Sequence, residues 1–198
     1  LSAMGEYKRA VDLIRETNPL PSVCGRVCVR KCELACRRAD VDEPVAINNI
    51  KRFLTDIPGI YDKDPEREPS TGKSVGIVGS GPAGLTAAWF LGRKGHKPVI
   101  YESQPRSGGM VRYGIPEYRL PDSVLDAEVD YILRAGAEIK YNTKIGEDIT
   151  LDELIQTHDS VFIGAGAQVG KPMRVEGEDD TEGVIRGAEF LRDKADNP

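Results

Sequence analysis

A short apolar run that breaks into glycines, Val75-Gly-Ile-Val-Gly79-Ser-Gly81-Pro82-Ala83-Gly84, constrains this 198-residue chain more than any other stretch. The run predicts a strand over 75 to 79, and Pro82 suits the first position of a following helix, so the segment reads as a strand–turn–helix unit. In such a unit Gly79 permits the tight turn, Gly81 lets the backbone approach a pyrophosphate, and Gly84 lets the helix pack closely on the strand. The phosphates would rest at the helix amino terminus, where unpaired amides and the positive end of the helix dipole favour an anion. A second strand over 98 to 102 ends in Glu102, roughly 20 residues after the glycines, where a carboxylate takes ribose hydroxyls and repels a ribose 2′-phosphate. The site therefore suits FAD or NAD(H) rather than NADP(H). Ser107-Gly108-Gly109-Met110 and the loop onward to Pro121 favour FAD, because glycine-rich backbone can lie along an extended cofactor. Read as a plain surface loop, the same residues leave NAD equally open.

From residue 74 onward, strand and helix patterns alternate. Pro121 and Gly136 bracket a helix carrying Val124, Leu125, Val129, Ile132 and Leu133, a short strand follows at 138 to 141, and Thr150 with Glu153 forms a capping-box pair. Val161-Phe162-Ile163 reads as a buried strand opening into Gly164-Ala165-Gly166. Alternation of this kind predicts an α/β fold with a parallel, doubly wound sheet. The preceding stretch has another pattern. Ala10, Val11, Leu13 and Ile14 mark a helix over 6 to 17 that Asn18-Pro19 ends, and a second helix spans about 45 to 54. Its Val45, Ile47, Ile50, Phe53 and Leu54 are expected to cover a compact polar or inorganic centre. Between 56 and 71, three prolines and many charges argue against a regular element. The chain thus divides into a small helical cysteine-rich domain over 1–56, a linker over 57–72 and a Rossmann-like nucleotide-binding domain over 73–198.

The four cysteines, Cys24, Cys28, Cys32 and Cys36, recur every fourth residue. This is neither the spacing of common zinc knuckles nor the usual ferredoxin run. Cysteines that staple secreted domains are spread along the chain, so disulfides are the weaker reading. Soft thiolates select zinc or an iron–sulfur cluster, with unligated core thiols as the structural alternative. Arg26, Arg30, Lys31, Arg37 and Arg38 would lower the thiol pKa values, and a neighbouring flavin tilts the choice toward a cluster by giving it a source of electrons. A formal net charge of −5 with dispersed acids and no long basic block argues against a nucleic-acid partner. With no stretch approaching about 20 apolar residues and no signal-peptide pattern, the expectation is a soluble, unsecreted, cytoplasmic protein without a membrane partner. His96 and His158 read as surface or capping residues, the acidic Asp179, Asp180 and Glu182 as solvated, and Ser80 lacks a histidine base that would make it a nucleophile.

Taken together, Asn18-Pro-Leu-Pro-Ser-Val-Cys24-Gly-Arg-Val-Cys28, Cys32-Glu-Leu-Ala-Cys36, Asp42-Glu-Pro-Val-Ala-Ile47, the glycine motif and Gly114-Ile-Pro-Glu-Tyr-Arg119-Leu-Pro121 resemble the glutamate synthase small (beta) subunit and its relatives. The resemblance extends to the amino-terminal part of dihydropyrimidine dehydrogenase and covers nearly the whole chain. It implies a helical iron–sulfur domain followed by an FAD domain, with electrons passing from NAD(P)H to FAD, then through [4Fe-4S] clusters to a larger redox subunit or a ferredoxin-like acceptor. By the same resemblance Gly81, Pro82, Ala83 and Gly84 meet the FAD pyrophosphate and Glu102 the adenosine ribose. Gly109 and Met110 lie along the middle of the cofactor, Arg119 pairs with phosphate oxygens, Ile145 contacts adenine, and Gly164, Ala165 and Gly166 pass the flavin side. In relatives the ligands of two clusters interleave, which sets Cys36 apart from Cys28 and Cys32 and leaves the ligand role of Cys24 open. Val29 stands where many relatives have proline, and Lys51 where some have Gln or Glu near a cluster. The chain reads as the amino-terminal part of such a subunit, truncated before the NAD(P)H domain and inactive alone in pyridine-nucleotide oxidation. The rival readings are a non-catalytic zinc- and nucleotide-binding docking module and a simple NAD-dependent dehydrogenase.

Overall fold

The alternating pattern becomes a four-stranded parallel sheet in the computed structural model, which describes residues 1–196. Strands β1 (Ser74–Val78), β2 (Lys97–Tyr101), β3 (Glu138–Lys140) and β4 (Ser160–Ile163) lie in the order β3-β2-β1-β4, with Ile77 beside Ile100 on one flank and Phe162 on the other. Nine α-helices are described: α1 (Tyr7–Arg15), α2 (Pro21–Val27), α3 (Lys31–Leu34), α4 (Ile47–Thr55), α5 (Pro82–Arg93), α6 (Met110–Tyr113), α7 (Asp122–Arg134), α8 (Leu151–Thr157) and α9 (Gly187–Asp196). The core joins the sheet to α5 and α7 through Ile77, Ile100, Leu85, Ala88, Trp89, Leu125, Val129 and Ile132.

The helical unit is seated on that core. Leu20 and Val23, at the start of α2, belong to the same buried cluster as Trp89 and Ile132, while Ala10, Val11, Leu54 and Ile60 form a second cluster beside it. The stretch between α4 and β1 has no helix or strand, and it is tied down at several points. Ile60 is buried, and the amides of Glu68 and Thr71 donate to the carbonyls of Arg93 and Gly95 at 2.8 and 3.0 Å.

Three sequence expectations change. The cysteine segment contains two short helices, α2 and α3, where the sequence reading placed none; Pro21 at the first helical position was the signal for α2. Val45, just ahead of α4, and Ile47, Ile50 and Phe53 on it are not buried but 39–53% exposed. The inward face of α4 instead carries Asn48, Leu54 and Thr55, because α4 crosses α2 at very close range: a β-carbon on Gly25 would stand 3.1 Å from Arg52 Cα, and Asn48 Nδ2 donates to the Gly25 carbonyl at 2.8 Å. At that separation large apolar side chains have no room between the helices. Finally, Phe162 and Ile163 are not buried, since β4 is an edge strand and their side chains stay 39% and 61% exposed.

His158 ends α8 and pins it to the sheet. Its Nε2 shares a hydrogen bond of 3.0 Å with Tyr101 Oη, and its Nδ1 shares one of 3.2 Å with Ser74 Oγ. Partial burial, helped by the nearby Lys140 charge, holds its pKa below the ordinary histidine value. A depressed folded-state pKa means that this contribution to stability is present above the unfolded value, about 6.5, and is lost as pH falls through the folded value. Thermal melts over descending pH should therefore fall more steeply for the wild type than for His158→Gln.

Candidate functional site

Parallel strands of a doubly wound sheet leave a crevice at their carboxyl ends, where neighbouring chain segments diverge. Here β1, β2 and β4 open onto a cleft of about 620 Å3 lined by Gly79, Gly81, Pro82 and Ala83 on one side, Glu102 at the end of β2, and Gly109 with Met110 facing them. Ile145 also lines it, and Gly164, Ala165 and Gly166 continue from β4. Eleven of the residues singled out from the sequence therefore share one cleft.

Gly79, Gly81, Gly109, Gly164 and Gly166 all contribute to its wall. Gly109 has φ +52° and ψ −136°, a conformation open essentially to glycine alone, and a β-carbon there would stand 2.9 Å from Gly81 Cα. Gly84 lies just behind the lining: a β-carbon on it would run into the Gly79 carbonyl oxygen, so its absence lets α5 sit against the turn. Arg119 is placed elsewhere, on an exposed turn closed by its amide donating to the Pro116 carbonyl at 2.9 Å, and it is not among the cleft's lining residues. The sequence reading missed Thr143, Lys144 and Gln168, which also line the cleft. Thr143 and Lys144 follow β3, and the rule that ligands gather beyond the carboxyl ends of strands would have found them.

Glu102 is 6% exposed and fixed from both oxygens. Oε2 accepts from the Ser80 amide and hydroxyl at 2.7 and 2.6 Å, and Oε1 accepts from the Gln104 amide at 2.8 Å. The Ser80 carbonyl in turn accepts the Gly108 amide at 3.0 Å, so one buried serine ties the glycine turn, the carboxylate and the facing loop together. A long groove with glycine-rich backbone near a helix amino terminus and a carboxylate at its side fits an adenine dinucleotide by shape and donor set.

The cysteines divide into two kinds. Cys24 is partly buried on α2, its Sγ donates to Asn18 Oδ1 at 3.7 Å, and burial, against the opposing charge of Lys51, pushes its pKa up. Cys28 Sγ accepts the Arg30 amide at 3.4 Å, and backbone amides of Val45 and Arg38, with a smaller effect of the Arg38 charge, pull the Cys36 pKa down. Amides aimed at sulfur suit thiolate donors to a soft metal centre. All four thiols are free, however, and among the described residues no three Cys, His, Asp or Glu side chains converge on a common point. As soft donors these thiols fit a metal centre. Among the described residues, no helix is long and apolar enough to cross a membrane.

Comparison with known proteins bears on both regions. Residues 2–60 match the family described as dihydropyrimidine dehydrogenase domain II, 4Fe-4S cluster, and residues 77–140 match the NAD(P)-binding Rossmann-like domain. Over 98% of its length the chain is 44% identical to the NADPH-Fe(3+) oxidoreductase subunit beta of Geobacter sulfurreducens, and over 96% it is 37% identical to the glutamate synthase [NADPH] small chain of Escherichia coli. Over nearly its whole length the chain is thus similar to glutamate synthase small chains and related oxidoreductase beta subunits. It spans 30% and 41% of the length of those two relatives. The fold recurs in Mycobacterium tuberculosis FprA, with a TM-score of 0.56 and 23% identity over 66% of this chain and 30% of that one. The cysteines fall inside the cluster-domain match, and the turn and Glu102 inside the Rossmann match. Gly164 to Gly166 complete the cleft from beyond the matched residues.

Proposed function

We propose that this chain forms the cluster-and-flavin portion of an electron-transfer subunit that takes electrons from NAD(P)H through FAD to [4Fe-4S] centres and on to a larger redox subunit or a ferredoxin-like acceptor. One observation carries the reading: a glycine-rich cleft with a carboxylate at its side occurs in the same chain as a cysteine segment inside the 4Fe-4S domain match. Bound FAD would supply the exchange between hydride and single-electron chemistry. The chain's own residues would bind and orient it. Gly81, Pro82 and Ala83 would face the pyrophosphate at the start of α5, Glu102 would take the ribose and disfavour a 2′-phosphate, and Gly109 with Met110 would flank the extended middle. Cys28, Cys32 and Cys36 would donate to sulfur-ligated iron, with Cys24 the least suited because its thiol is partly buried and already bonded. The reductant site and the partner surface would lie in the remainder of a longer subunit.

Anaerobic reconstitution with iron, sulfide and FAD tests the reading. The expected product carries flavin together with acid-labile sulfide and is bleached by dithionite. FAD affinity should fall by about tenfold or more in Glu102→Ala, since a charge-assisted hydrogen bond is lost. Zinc without labile sulfide would point to the docking-module alternative, and NAD bound with FAD excluded would point to a dehydrogenase.

A further inference from the structure

The two candidate sites lie in different parts of the chain, and one buried side chain joins the units that carry them. Glu128, on α7 of the sheet domain, is 0% exposed, and its carboxylate reaches out of its own helix to the start of α2. Oε1 accepts the Ser22 amide at 2.8 Å and Oε2 the Val23 amide at 3.0 Å. Arg15, 1% exposed, donates to Oε1 at 3.3 Å, and Tyr61 Oη donates to the same oxygen at 3.4 Å. The Arg15 guanidinium is itself boxed by aromatic faces, with its carbon 4.2 Å from the Tyr131 ring centroid, 4.7 Å from Tyr61 and 5.6 Å from Trp89. Its own backbone carbonyl accepts from Trp89 Nε1 at 3.1 Å. Cys24 follows Val23 directly, and Cys28 ends the same helix.

A buried carboxylate satisfied mainly by hydrogen bonds to another unit of the chain is a costly device for stability alone, because burying both charges forfeits their hydration. An apolar side chain of similar volume would join α7 to α2 without that cost. It would also let α2 slide, whereas two amides donating to two oxygens of one carboxylate fix both the position and the direction of the helix.

We infer that Glu128 is a positioning residue: it clamps the cysteine-bearing helix to the nucleotide-binding domain, so that the thiol segment keeps one fixed relation to the cleft. The inference rests on the reading of the chain as an electron-transfer protein only for its consequence. The clamp itself can be measured without any cofactor.

The first measurement is hydrogen exchange at the Ser22 and Val23 amides in the chain as it stands. Glu128→Gln keeps the shape and one acceptor oxygen but replaces the other with an amide nitrogen that cannot accept, so exchange of at least one of the two amides should accelerate by about tenfold. The second uses the full-length parent subunit, purified anaerobically, and follows flavin reduction and the onward reduction of the sulfur-ligated centre separately. In Glu128→Gln the flavin should be reduced at the wild-type rate while the onward step slows. Because a buried Arg15 without its carboxylate can prevent folding, Arg15→Met combined with Glu128→Gln serves as the second variant; it leaves no unpaired charge and should give the same pattern. Unchanged amide exchange and an unchanged onward rate in either folded variant would overturn the clamp. A wild-type parent that binds no flavin or iron would instead sink the electron-transfer reading, and the exchange result would still decide the clamp.

Discussion

Gly84→Ala is expected to lose nucleotide binding and about 3 kcal/mol of stability, since the inserted methyl must either push α5 off the sheet or open the glycine turn. No side-chain rearrangement can relieve the clash, because the obstructing atom is the Gly79 carbonyl oxygen and its position is set by the turn itself. Denaturant unfolding followed by FAD titration checks both effects. Gly187→Ala is the matched control: it adds the same methyl at the start of α9, where nothing lies within 4 Å, and should be close to neutral.

Arg15→Ala is expected to cost about 3–5 kcal/mol, the range for breaking a buried ion pair from one side. The loss comes less from missing attraction than from Glu128 left in the interior with two amides and a tyrosine as its remaining partners. Burial already pushes the Glu128 pKa up, with Arg15 the largest opposing influence, so removing Arg15 raises it further. A raised folded-state pKa gives stability that is fully present below the unfolded value and lost as pH rises through the folded one. The variant should therefore recover part of its deficit on mild acidification, which chemical denaturation at two pH values would detect. An unchanged deficit would mean that lost aromatic packing around the guanidinium accounts for the effect.

The sheet domain was legible from the sequence because each signal there acts locally. Val75 to Gly84 specify strand, turn and helix in order, Pro121 and Gly136 mark the ends of α7 within a residue or two, and Thr150 with Glu153 forms the capping box in both directions. The cleft followed from the same signals, since glycines are informative wherever backbone meets backbone. The helical unit was harder to read. Its helices α2 and α3 are seven and four residues long, too short for apolar periodicity to register, and of the apolar residues that the sequence offers near α4 only Leu54 is buried, beside a polar bond at Asn48. The pairing of Arg15 with Glu128 spans 113 residues, and no local pattern marks either as buried. Arg119 was singled out through resemblance alone, and it stands exposed on a turn outside the lining of this cleft.

A groove with glycines at the close approaches of its walls has a particular mutational signature. A saturation library over its rim would tolerate most exchanges at Met110, Thr143, Lys144 and Gln168, whose main chain stays where it is whatever the side group. Damaging changes would concentrate at a few glycines, at Glu102, and at Ser80, where a hydroxyl and an amide hold Glu102 and the carbonyl beside them holds the opposite loop. Attempts to retune what this groove accepts would accordingly gain more from changing loop lengths between its anchor points than from exchanging the residues along it.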